Sequence, residues 1–103
     1  MTDLEDAGTP PLVTRLYQNS PNPFNPSTAI KFDLANNEHV ALKIYNVAGR
    51  LVRTLVDGKM VRGRHSVEWN GRGDSTLQLA SGIYIYKLEA GGFTATRKLV
   101  LMK

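Results

Sequence analysis

A chain of 103 residues without cysteine has room for one domain and none for a disulfide, a thiolate metal site or a cysteine nucleophile. Its 42% hydrophobic and 21% charged residues suit a globular domain with a thin core, too thin at this length for a deep enclosed enzyme pocket. The net charge of +4 points toward anionic partners, and no apolar run approaches the roughly 20 residues that span a bilayer.

The chain opens with three of its nine acids, Asp3, Glu5 and Asp6. Residues 1–11 read as a disordered acidic leader or linker, and residues 12–103 as one folded domain. The beginning lacks the basic and apolar regions of a signal peptide, which suits either a cytosolic protein or a piece of a longer precursor. Beyond it, period-2 alternation and turn residues recur to the end, with no competing helical pattern. Leu12 to Tyr17 forms a short first strand. Pro21, Pro23 and Pro26 then make a stiff crossing that cannot pair as a central strand, with Phe24 plugged into the core.

Thr28 to Leu34 alternates Ile30, Phe32 and Leu34 against Lys31 and Asp33. Asn36-Asn37 turns the chain into a strand from His39 to Val47, with Val40, Leu42 and Ile44 facing the core. Asn46-Val47-Ala48-Gly49 is a hairpin connection with Gly49 at positive φ. Leu51 to Val56 returns and is closed by Asp57-Gly58. His65, Val67 and Trp69 share one face of the next strand, and Asn70 to Leu79 is a long polar loop. Ile83 to Leu88 sets Tyr84, Tyr86 and Leu88 on one face, Gly91-Gly92 turns, and Thr94 to Met102 finishes. About seven strands without helical crossovers predict an all-β, immunoglobulin/fibronectin-like antiparallel sandwich.

Catalysis does not assemble. His39 and His65 lie inside strands, no Gly-x-Ser-x-Gly elbow exists, and two histidines without cysteine make a poor metal set. Neither a cofactor nor a metal is expected, and the chain reads as non-enzymatic. Six basic residues (Arg50, Arg53, Lys59, Arg62, Arg64 and Arg72) fall mid-chain, where they form either a basic face or solvated strand surfaces that resist edge-to-edge pairing. Tyrosines beside positive charge would suit single-stranded nucleic acid, but Tyr84 and Tyr86 share a face with Leu88 and so belong to the core. Arg72-Gly73-Asp74 matches an adhesive tripeptide, yet Gly and Asp are also ordinary turn residues.

Several segments match a known group in order. Leu16-Tyr17-Gln18-Asn19-Ser20-Pro21-Asn22-Pro23-Phe24-Asn25-Pro26-Ser27-Thr28, followed by Ile30, resembles the opening motif of type A C-terminal sorting domains of the type IX secretion system. Ile44-Tyr45-Asn46-Val47-Ala48-Gly49-Arg50 with Val52 is similar to their middle motif. Gly82-Ile83-Tyr84-Ile85-Tyr86-Lys87-Leu88 and Lys98-Leu99-Val100-Leu101 resemble their closing motifs. The immunoglobulin-like domain of the flagellar hook-assembly scaffold shares the middle and closing patterns. Trp69-Asn70-Gly71 followed by small and charged residues looks like the family's loop after the tryptophan, departing from it at Gly73.

The resemblance implies a passive address on a larger cargo, whose separate N-terminal signal takes it to the periplasm. An outer-membrane translocon recognises the domain, and a surface sortase-like protease removes it. The cargo is then joined to anionic lipopolysaccharide or released to the medium. No membrane span and no nucleic acid are implied, and a monomer is expected. The competing reading is an adhesive or spacer module that binds a surface or polysaccharide directly. Recognition is expected at Pro21, Asn22, Pro23, Lys87 and Lys98, whereas Phe24, Asn46, Gly49, Trp69, Gly82 and Tyr84 are expected to be structural. The last strand, Lys98 to Met102, is further expected to offer a sheet edge for strand addition, so that export fails without Lys98 to Lys103.

Overall fold

The computed structural model describes residues 13–103; the acidic leader expected over residues 1–11 lies outside them, as does Leu12. Seven strands are formed among the described residues: β1 Arg15–Leu16, β2 Thr28–Leu34, β3 Glu38–Asn46, β4 Leu51–Met60, β5 Gly63–Trp69, β6 Gly82–Ala90 and β7 Phe93–Leu101. They build two antiparallel sheets, one of order β1-β2-β5 and one of order β4-β3-β6-β7. The expected all-β sandwich is what the chain forms.

Alternation sets the core. Ile30, Phe32 and Leu34 from β2 meet Val40, Leu42 and Ile44 from β3 and Tyr86 and Leu88 from β6, all fully buried. Burying each large aliphatic or aromatic side chain stabilises the fold by roughly 1.5–3 kcal/mol, so the facing inner rows supply most of the drive to close the sandwich. An aromatic cluster closes one end, where the Trp69 ring lies 5.4 Å from Phe24 and 6.0 Å from Tyr84. The Tyr84 hydroxyl donates back to the Ala80 carbonyl at 2.7 Å, the tyrosine-corner geometry of immunoglobulin-like folds. Such a corner holds the crossing from one sheet to the other as β6 begins.

Most strand ends shift by one or two residues from expectation, and two boundaries differ in kind. β1 is two residues long, because the Thr14 hydroxyl, rather than a ladder carbonyl, accepts the Ala35 amide. β4 runs through Asp57 and Gly58, which pair with Ala41 and Val40, so ladder pairing overrides their local turn preference. The turn falls four residues later, where the Arg62 amide donates to Asn37 Oδ1. The mid-chain basic residues do not make one face. Arg53 donates to the Gly73 carbonyl, Arg64 sits beside Asp33 on the three-stranded sheet, and Lys59 pairs across from His39 on the other sheet.

The proline segment closes the open side of the sandwich. Ser20 exchanges backbone hydrogen bonds with Ala29, so the chain follows β2 at first. Four residues later the Phe24 amide donates to the Val100 carbonyl and the Phe24 carbonyl accepts from Met102, a parallel bridge to the edge of β7. The segment thus crosses from one sheet to the other with its aromatic ring inward, 2% exposed. Phe24→Ala should destabilise the domain by about 3–5 kcal/mol in urea titration, the range for a buried phenylalanine. A loss below about 1 kcal/mol would show that the crossing is ornamental.

Candidate recognition surface

The expected recognition residues come from distant parts of the sequence, and the fold gathers them along one side. Pro21, Asn22 and Pro23 are exposed on the crossing segment. Asn22 Oδ1 accepts the Val100 amide at 2.9 Å, and Gln18 Nε2 donates to the Lys98 carbonyl at 2.7 Å. The proline ridge therefore lies against the C-terminal half of β7. Lys98 stands opposite Ile85, and Lys87 is two residues along the same face of β6, so the two lysines are diagonal neighbours. Lys87 Nζ is 3.6 Å from Glu89.

This arrangement overturns the expected free edge. The Lys98 carbonyl, the Val100 amide and carbonyl and the Met102 amide are taken by Gln18, Asn22 and Phe24. Strand addition over Lys98 to Met102 would have to displace these contacts. Removing Lys98 to Lys103 would also strip Leu99 and Leu101 from the core, so that truncation reports folding before recognition.

Behind the ridge lies a buried polar hub centred on Asn19, whose role within the opening motif the strand pattern does not mark. Asn19 is 3% exposed. Its amide donates to the Tyr86 hydroxyl at 2.8 Å, and its Nδ2 donates to the Pro21 carbonyl and to Thr28 Oγ1. Thr28 Oγ1 in turn donates to the same Pro21 carbonyl at 2.7 Å, and the Tyr86 hydroxyl donates to the Tyr17 carbonyl at 2.7 Å. Every side-chain polar group in the hub has a partner, Asn19 Oδ1 accepting from Gln18 Nε2, which makes it specific and rigid. Arg97 adds a brace, its Nε donating to the Leu16 carbonyl. Its signal in the sequence was an arginine at a β7 position whose alternate neighbours, Ala95 and Leu99, face inward.

The expected structural residues fall at turns and in the core. Asn46 Oδ1 accepts from the Ala48 and Arg50 amides, while Gly49, at φ +85°, donates to the Asn46 carbonyl. Gly82 opens β6 at φ +152°, a region other residues rarely adopt. The Trp69 indole donates to the Arg72 carbonyl at 2.8 Å. Next to it, a Cβ on Gly71 would come 3.0 Å from Leu101 and 3.6 Å from Phe24, so the Trp-Asn-Gly turn underlies the same junction as the ridge.

The Arg72-Gly73-Asp74 loop serves the other edge. Gly73 is buried, and Asp74 Oδ1 accepts the Thr54 amide from β4. The tripeptide is thereby held against a strand edge and does not protrude as an extended loop. Tyr84 and Tyr86, 7% and 0% exposed, are likewise unavailable for base stacking. His65 stacks on Phe32 at 5.4 Å, and His39 pairs with Asp57 on an exposed face. Among the described residues no three metal-ligating side chains converge.

These features match known proteins at the level of family and fold. The profile of the FlgD Ig-like domain matches residues 19–92. The chain belongs to the FlgD Ig-like domain family. The match begins at the buried Asn19, so this FlgD Ig-like domain includes the Pro-Asn-Pro ridge within the family region. No curated protein matches the sequence. Among solved structures, dimeric latent PorU from Porphyromonas gingivalis superposes with a TM-score of 0.70 at 20% identity, covering 92% of this chain and 10% of PorU. PorZ, described as an essential surface component of the type IX secretion system of the same bacterium, gives 0.58 at 18% identity, covering 96% and 12%. The chain thus spans about a tenth of either protein.

Burial raises the Tyr86 and Tyr84 hydroxyls above the ordinary phenol value, and the hydrogen bond to Asp33 raises that of Tyr17. A raised tyrosine stabilises fully below the unfolded value near pH 10, and that contribution is lost as pH rises through the folded value. Tyr86→Phe strands the Asn19 amide and the Tyr17 carbonyl and should cost about 1–3 kcal/mol near pH 7. The variant should also lose less stability than the parent between about pH 9 and about pH 11. Parallel pH profiles by chemical denaturation would contradict the buried-hydroxyl assignment.

Proposed function

We propose that this domain is a non-catalytic C-terminal sorting module that directs a larger cargo protein through the bacterial outer membrane to the cell surface or medium. The observation that carries this reading is the junction of the opening and closing motifs. Segments joined by contacts spanning 78 and 80 residues of sequence, Gln18–Phe24 and Lys98–Met102, form a single side of the molecule. A preorganised ridge loses little entropy when a receptor grips it, which suits an address read once on a folded domain. The likeness to parts of PorU and PorZ supports the same direction, since PorZ is described as a type IX secretion component.

In this reading Pro21, Asn22, Pro23, Lys87 and Lys98 contact the outer-membrane translocon. A surface sortase-like protease then separates domain from cargo, and anionic lipopolysaccharide or the medium receives the product. The domain acts as a monomer, passing from periplasm to surface. Membership of an immunoglobulin-like family also favours a second reading, a spacer or adhesive module that binds a surface or polysaccharide itself.

A transplant separates the two. The full chain is fused behind a signal peptide and a fluorescent reporter in a bacterium with a working type IX system. The proposal predicts reporter at the surface or in the medium, lost when the translocon is disabled. Reporter retained in the periplasm of both strains would overturn sorting and favour the spacer.

A further inference from the structure

Outward positions on sandwich strands are ordinarily polar. One end of the four-stranded sheet departs from that pattern. Its ladder places Leu51 opposite Tyr45, Tyr45 opposite Ile85, and Ile83 opposite Val100, all on the face away from the core. Leu51 and Ile83 are 43% and 48% exposed, and Val47 in the adjoining hairpin is 74% exposed. A shallow groove of about 300 Å³ runs here between Tyr45, Val47, Gly49, Ile85, Lys87 and Thr96.

Bordering this patch, Lys43 stands directly opposite Lys87, and Lys98 lies diagonal to Lys87. Like charges placed directly opposite destabilise a sheet. Among the described residues, Glu89 is the one carboxylate paired with any of the three ammonium groups, 3.6 Å from Lys87. Three ammonium groups thus gather beside the apolar patch, while Glu38, Asp57 and Glu89 lie further along the sheet, on the far side of Lys43 from it.

We propose that this face docks a protein partner that presents an aliphatic knob flanked by carboxylates. Charge complementarity selects the acidic component, and the exposed valine, leucine and isoleucine select an apolar one. A phosphate or acidic glycan would satisfy the lysines yet leave those three side chains with nothing to bury. Single-stranded nucleic acid would find one ring, Tyr45, on which to stack. The face adjoins the proline ridge through Lys98 and Val100. The inference rests on the sorting reading, in which the partner belongs to the export machinery.

The test uses the full chain fused to a reporter, with detergent-purified outer-membrane translocon as one probe and phosphatidylglycerol vesicles as the other. Lys43→Glu with Lys87→Glu should weaken translocon binding at least about tenfold, as should Val47→Ser with Ile83→Ser. Lys43→Arg with Lys87→Arg should bind as the parent does, and Lys31→Glu on the opposite sheet should have no effect. Parental binding should weaken between about 0.05 M and about 0.5 M salt. Circular dichroism checks that each variant folds. Equal binding by parent and both face variants would overturn the inference, as would vesicle binding that tracks the lysines. An exported parent with equally exported face variants sinks this face alone, whereas a parent that is neither bound nor exported sinks the sorting reading itself.

Discussion

The rest of the structure depends on a backbone bridge between the start and the end of the domain. Phe24 sits between Val100 and Met102, donating to one and accepting from the other, while its ring fills the space beside Trp69. A two-sheet sandwich of this size has four edges and few residues to cover them. Prolines cannot extend a ladder, but a single residue between them can satisfy two orphan groups and then leave. The segment closes the last strand without becoming a strand itself.

The same logic is repeated at the opposite edge. β4 slips against β3 at Leu55, between the Leu42 and Lys43 pairings, and again at Val52, between the Ile44 and Tyr45 pairings, and Asp74 takes the Thr54 amide. Bulges and side-chain caps are common ways of blunting an edge against pairing with another chain. In the proposed sorting role, where the domain would have to stay discrete while cargo travels, a covered edge has an evident use. Under that proposal, recognition would fall to side chains, on the proline ridge and the lysine-bordered face. The Asn19 hub supports both, since it fixes the ridge to Tyr86 in the central layer.

Strand identity was legible because period-2 burial leaves a plain trace. Ile30, Phe32 and Leu34 could face only one way, and Tyr84 with Tyr86 could be assigned to the core from Leu88 alone. Phe24 was legible as a plug because an aromatic residue among prolines and asparagines has no other apolar company. Its backbone partner was not, since a parallel bridge across more than 70 residues leaves no local periodicity. Asp57-Gly58 misled for the converse reason: a turn-forming pair was held straight by ladder partners distant in sequence. The proline ridge and Lys98 could be named individually from their motifs. Their contact could not, because it depends on Asn22 reaching an amide from the last strand.

Native-state hydrogen exchange tests the bridge most directly. The Val100 and Met102 amides face the edge, while Leu99 and Leu101 face β6. The account predicts protection of all four in the parent domain. In Asn22→Ala combined with Phe24→Ala, Val100 and Met102 should exchange faster than Leu99 and Leu101. Unprotected Val100 and Met102 in the parent, beside protected Leu99 and Leu101, would mean that the opening segment does not hold the last strand.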